Sequence, residues 1–504
     1  MRNLIRSAMA LACLVLSSAP ARALEEVVVE LPLMDNSLSV KLSELKNPEA
    51  LMQGSSDLAE LDRASDGELG RKLLKLLNHP VPVSFRQMAE SSVGSPLLAQ
   101  ALLLVSSFGT VEGRSPDLSG ATLKQALDKA TAESVDGHPT LLQLMEAIPG
   151  ERVRLNLSHA QVVLARMLRH RHRADQLMAA AVPVPAAIPT AAISTVAVSR
   201  TTLSVPHRPD PLELVVMKPS SGVPRGLVVI SHGLWDSPTN FEGWGQRLAE
   251  QGYAVVLPRH PGSDKHQQHE VLSGQAPPPS PAELALRAKD VTAINDAVGQ
   301  GRLPALAGVN ADRVVVIGHS WGATTALQLA GVKPEDHALK TRCDNLADPD
   351  RNLSWTLQCS WISGVDQAAV DDPRVIAVAA VSPPISLLFP KGSAKQITAR
   401  VLLVSGTRDW VVPPDPEAIE PFSTSNPQGN QLVLVQGGDH FNLRPGQSSD
   451  GGPVAPLLVE WTNRAFAAGP GVKPSAGAAL LLPQGSWGSG SKAMADVTDR
   501  LEGR

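Results

Sequence analysis

Between Val314 and Gly331 the chain reads VVVIGHSWGATTALQLAG. An apolar run ends in Gly318-His319-Ser320-Trp321-Gly322, and a stretch rich in small residues follows. The glycines permit a sharp turn that lifts the serine hydroxyl off the end of a strand. The start of a helix just beyond favours developing negative charge. An ordinary turn between a strand and a helix could carry the same residues. Ser320 gains a nucleophile's chemistry only with a base to take its proton and an acid to orient that base.

Asp409 follows VLLVSGTR and His440 follows LVLVQGGD, each at the end of a late apolar run. The chain order Ser, then Asp, then His is that of α/β hydrolases. Both residues fall at the C-terminal edge of a parallel sheet, where open α/β sheets place ligands. Asp439 is a rival acid, but its side chain diverges from that of the adjacent His440. Ser231-His232-Gly233-Leu234 ends an earlier run, GLVVI. In that fold an early strand-to-loop turn gives one backbone N–H to an oxyanion hole, and the residue after the nucleophile gives the other. The expected donors are Leu234 and Trp321, with His232 a structural loop residue.

Elements must hold these groups in place. LELVVMKP, GLVVISHG, YAVVLPRH, RVVVIGHS, VIAVAAVS, RVLLVSGTRD and QLVLVQGGDH read as strands, several of them continuous Val/Leu/Ile runs. FEGWGQRLAEQG, SPAELALRAKDVTAINDAVG and GATTALQLAG read as helices between them, the second with Ser280, Pro281 and Glu283 as a start signal. The alternation predicts an α/β domain with a mostly parallel sheet over 200–466.

Residues 24–181 read as a smaller, mainly helical domain. It opens on a strand-like EEVVVELPL, and Ser84 and Gln87 are spaced as a capping box. The basic run Arg169-His170-Arg171-His172-Arg173 reads as a solvated face near a helix end. Residues 182–199, rich in Pro and Ala, read as a linker, and the Gly/Pro/Ser-rich 467–504 as a disordered tail. Residues 1–23 have the basic start, short apolar stretch and Ala21-Arg22-Ala23 site of a secretory signal peptide.

The 504 residues carry 45 basic and 49 acidic side chains, a formal charge of −4 that offers no field for nucleic acid. No later segment has the length and apolarity of a membrane span. Loss of the leader removes Cys13 and leaves Cys343 and Cys359, which in an exported protein predict one disulfide. No cofactor or metal is expected.

VISHGL, GYAVVLPRHPGSD, VVVIGHSWG, CDNLADPDRNLSWTLQC, SGTRDWVVPP and GGDHFNL together resemble a known group. It is the bacterial α/β hydrolases of the predicted dienelactone hydrolase and platelet-activating-factor acetylhydrolase-like type. The chain is especially similar to exported, cyanobacterial-type members with an N-terminal helical domain of unknown function. The resemblance implies a serine esterase with Ser320, Asp409 and His440 as its triad, acting on a small-molecule or lipid ester. Dienelactone hydrolases proper use cysteine where this chain has Ser320. Relatives usually have Gly and Phe where this chain has Trp235 and Trp321. Two indoles there would narrow the substrate pocket and favour short acyl groups; both packing outward would leave it open. An amidase or peptidase with the same triad, and a non-catalytic envelope binding protein, are the other readings.

Overall fold

The computed structural model describes residues 23–31, 37–181, 193–425, 429–446, 450–469, 478–482 and 492–501. Apart from Ala23, the expected leader lies outside them. The chain forms two compact units. The first holds the described residues up to Val162 together with Leu272–Gln275; the second holds Val163–Val271 and the chain from Ala276 on.

The first unit is mainly helical, with one small sheet. Its strands β1 (Glu26–Glu30), β2 (Ser37–Lys41), β3 (Gly109–Val111) and β4 (Arg152–Asn156) lie in the order β2-β1-β4-β3. Val27, Leu42, Leu45, Leu51, Leu74 and Leu142 form its largest buried cluster. The capping box expected at Ser84 and Gln87 is not formed. The helix Val83–Ser92 starts two residues earlier than that box requires, with Pro82 as its N-cap, and leaves Ser84 inside the first turn. A capping box forms instead at Thr140 and Gln143. Among the described residues no single helix is long and apolar enough to cross a membrane.

The second unit is an α/β-hydrolase fold. Its strands are β5 (Val196–Leu203), β6 (Leu212–Pro219), β7 (Leu227–Ser231), β8 (Ala254–Pro258), β9 (Val314–His319), β10 (Val375–Val381), β11 (Arg400–Gly406), β12 (Gln431–Val435) and β13 (Met494–Asp496). They form one nine-stranded sheet in the order β13-β12-β11-β10-β9-β7-β8-β6-β5. Strands β7 to β12 pair in parallel, while β5, β6 and β13 pair antiparallel. The apolar runs serve two faces at once. Val229, Val256 and Val316 pack into one core with the helices Glu283–Gly299 and Trp321–Leu329. Val228, Val255 and Val315 pack into the other with Trp244, Leu248, Leu458 and Trp461. A strand covered on both faces has no polar side to show, which is why these runs do not alternate.

Three expected boundaries differ from this arrangement. Strand β5 occupies Val196–Leu203 and so includes the last residues of the expected linker, whose residues 182–192 lie outside those described. The tail contains β13, where Met494 and Ala495 are buried beside β12, as is Val497 just after it. Average composition over a Gly/Ser-rich segment hid this short apolar group. The helix Leu157–Ala180 runs from the first unit into the second. Its basic run is not simply solvated: His170 is buried and its Nε2 lies 2.9 Å from the Pro349 carbonyl, and Arg173 pairs with Asp415 and Glu420. Those partners lie roughly 180 to 250 residues along the chain, beyond the reach of a local pattern.

Cys343 and Cys359 are disulfide-bonded, with Cα atoms 5.7 Å apart. They close the polar segment between the helices His337–Arg342 and Ser354–Ser360, and Arg342 at the end of the first helix pairs with Asp348 and Asp350 in that segment.

Candidate active site

The turn after β9 is dictated by two close approaches. A Cβ on Gly318 would lie 2.0 Å from the Gly322 carbonyl oxygen, and one on Gly322 would lie 2.0 Å from the Ser231 carbonyl oxygen. No side chain fits at either position. Between them Ser320 adopts φ 55° and ψ −124°, a strained conformation for a residue with a Cβ. Its N–H donates to the Val381 carbonyl at 2.9 Å, and its own carbonyl accepts from Ala323 N at 2.9 Å. The strain is held by β10 on one side and the new helix on the other.

Strands β11 and β12 bring the other two groups to the same edge. A Cβ on Gly406 would lie 2.3 Å from the Gly438 carbonyl oxygen, so the end of β11 and the loop after β12 touch backbone to backbone. Arg408 N donates to that carbonyl at 2.8 Å. Asp409 Oδ1 accepts from the amides of Val411 at 3.0 Å and Val412 at 2.8 Å. Its Oδ2 lies 3.0 Å from His440 Nδ1, and His440 Nε2 lies 3.1 Å from Ser320 Oγ. An ionised carboxylate only accepts, so Nδ1 carries the proton and Nε2 is free to accept from the serine hydroxyl. All three side chains are buried: Ser320 is 7% exposed, His440 6% and Asp409 3%. Asp439 caps its own turn instead, accepting from Phe441 N, Asn442 N and Asn442 Nδ2.

The loop after β7 lies against the serine. A Cβ on Gly233 would sit 3.2 Å from Ser320 Cβ. The N–H groups of Leu234 and Trp321 have no hydrogen-bond partner among the described residues, whereas Trp235 N donates to Ser263 O at 2.7 Å. The Trp321 indole is fully buried, 5.0 Å from Trp361 and beneath the Arg287 guanidinium at 4.9 Å. A side chain with no exposed surface cannot wall an open acyl pocket, and half of the short-acyl expectation loses its basis. The half-buried Trp235 indole donates to Gln267 Oε1 at 2.6 Å, on the segment that follows Pro261.

A buried polar cluster supports that loop, and none of it was read from the sequence as functional. Arg287 donates to the His232 carbonyl while lying on Trp321, so it touches both segments that carry the unpaired N–H groups. Burial pushes its guanidinium down to about 9. His260 N donates to His232 Nε2 at 3.1 Å, which leaves His232 Nδ1–H to donate to Gly233 O at 2.7 Å. His260 joins Ser231 Oγ at 2.9 Å and Asp290 Oδ2 at 2.8 Å. Burial pushes His260 down to about 4, with Arg287 adding to it against the pull of Asp290. Burial raises Asp290, but bonds from His207, His260 and Arg208 outweigh it and hold the carboxyl well below its usual range. Glu283, expected to cap its helix, pairs with Arg208 at 2.7 Å. His319 also went unread: its Nε2–H donates to the His440 carbonyl at 2.9 Å, and burial first, then His440 and Arg444, keep it neutral. A histidine inside the Gly-x-Ser-x-Gly motif was the available signal. Among the described residues no group of three or more His, Cys, Asp or Glu side chains could hold a metal ion.

No curated protein matches the chain. Residues 227–469 match the alpha/beta hydrolase family and contain Ser320, Asp409 and His440 as well as the loop after β7. The part of the chain from β7 to the helix Ala455–Ala467 is an alpha/beta hydrolase family domain.

Proposed function

We propose that this domain is a serine carboxylic-ester hydrolase. The observation that carries the reading is the hydrogen-bonded chain from Asp409 through His440 to a strained Ser320. In the proposed cycle His440 takes the Ser320 proton as Oγ bonds to the ester carbonyl carbon. The N–H groups of Leu234 and Trp321 stabilise the oxyanion, and Asp409 stabilises the imidazolium. His440 then returns the proton to the leaving alcohol. Water, activated by the same histidine, releases the acid from Ser320. The disulfide and the leader-like composition of residues 1–23 support export to the periplasm or cell exterior. The test is turnover of a panel of simple esters and matched amides by the purified chain. Ser320→Ala and His440→Ala should each lower kcat by about 10⁶-fold, as in serine hydrolases generally. Faster turnover of amides than of esters would assign an amidase instead.

A further inference from the structure

Trp410 and Phe441 directly follow Asp409 and His440. Among the described Phe, Tyr and Trp residues they are the only exposed ones, at 50% and 52%. Five of the tryptophans, by contrast, are fully buried. The two exposed rings lie 6.5 Å apart at 55°. Phe441 meets the His440 imidazole edge-on at 5.5 Å. Their backbones are held on either side: Asp409 Oδ1 accepts from the two amides after Trp410, and Asp439 Oδ1 accepts from the amide of Phe441. Arg444, paired with Asp236, lies over the Phe441 ring at 5.5 Å. The pair is therefore an exposed apolar surface that reaches the base through Phe441.

Ester chemistry says which part of a substrate would lie there. When the tetrahedral intermediate collapses, the bond between the carbonyl carbon and the alcohol oxygen breaks. His440 Nε2 gives its proton to that oxygen, the alcohol leaves neutral, and the acyl group stays on Ser320 Oγ. The alcohol oxygen must then be within hydrogen-bond reach of Nε2. What it carries then lies beside the imidazole, which the Phe441 ring meets at 5.5 Å, with Trp410 6.5 Å from Phe441.

We propose that Trp410 and Phe441 form a leaving-group subsite, which takes esters whose alcohol bears an apolar ring. This rests on the reading of Ser320 and His440 as nucleophile and base. The test is kcat/KM of the full chain, Trp410→Ala and Phe441→Ala on ethyl acetate, benzyl acetate and ethyl phenylacetate. The last two carry a ring on opposite sides of the ester bond. Each variant should lose about tenfold on benzyl acetate, mainly through KM, and less than about twofold on the other two. Both positions are exposed, so thermal unfolding should be unchanged. An equal loss on all three esters, no loss on benzyl acetate, or a loss confined to ethyl phenylacetate overturns the inference. Reaction with a fluorophosphonate but turnover of none of the three also overturns it and leaves the Ser320 reading standing. Neither reaction nor turnover removes both.

Discussion

At the scale of single residues, the geometry separates two carboxylates that the sequence sets almost side by side in role. Asp439 is spent on the turn that presents His440, while Asp409 reaches the imidazole from another strand. Asp409→Asn should keep that turn and its amide bonds but favour the wrong imidazole tautomer. The expected result is a fall in kcat of about 10³–10⁴-fold with KM little changed, read from steady-state ester hydrolysis. A fall of less than tenfold would mean that Asp409 does not orient the base. Ser320, Asp409 and His440 were legible because each ends an apolar run, and a strand end is a local pattern. Arg287, His260 and His319 were not. Their partners, the His232 carbonyl, Asp290 and the His440 carbonyl, meet them only after the sheet has formed.

At the scale of elements, seven of the nine strands of the large sheet were read from their apolar runs. Those missed, β5 and β13, lie at its two edges. Edge strands are half-exposed or short, so their composition resembles that of the loops beside them. Close approaches between elements were equally hidden: Gly406 and Gly438 matter because the end of β11 touches the loop after β12, not because of their neighbours in sequence. The cluster beneath the loop after β7 has a consequence for pH. His260 faces Asp290, Arg208, Arg287 and His232, and it stays neutral in the fold down to about 4. In the unfolded chain it protonates near pH 6.5. Between those values the unfolded state binds more protons, so stability is full above pH 6.5 and is lost as pH falls toward 4. His232 and His319, also kept neutral by burial, act in the same direction. Urea unfolding of the full chain should show stability falling by roughly 3 kcal/mol or more between pH 7 and 4.5. A His260→Gln variant should show a shallower slope. A slope unchanged in that variant would contradict the burial of a neutral His260.

At the scale of the whole molecule, the near-neutral charge and the two compact units say little about chemistry. The proposed activity rests on one edge of one sheet, and fold alone does not assign it. The second unit recruits residues from Val163 on and reaches Leu501, well outside the span that matches the family. Its core therefore draws on the long helix before it and on a short strand after it, where Ala174 and Ala495 are both buried. The proposed function requires Ser320 to be an activated nucleophile in this setting. The most direct measurement is the mass of the tryptic peptides after the full chain reacts with a fluorophosphonate. One adduct is expected, on Ser320, absent from Ser320→Ala and strongly slowed in His440→Ala. An unmodified Ser320, or a Ser320→Ala chain labelled as fast as the unaltered one, would contradict it.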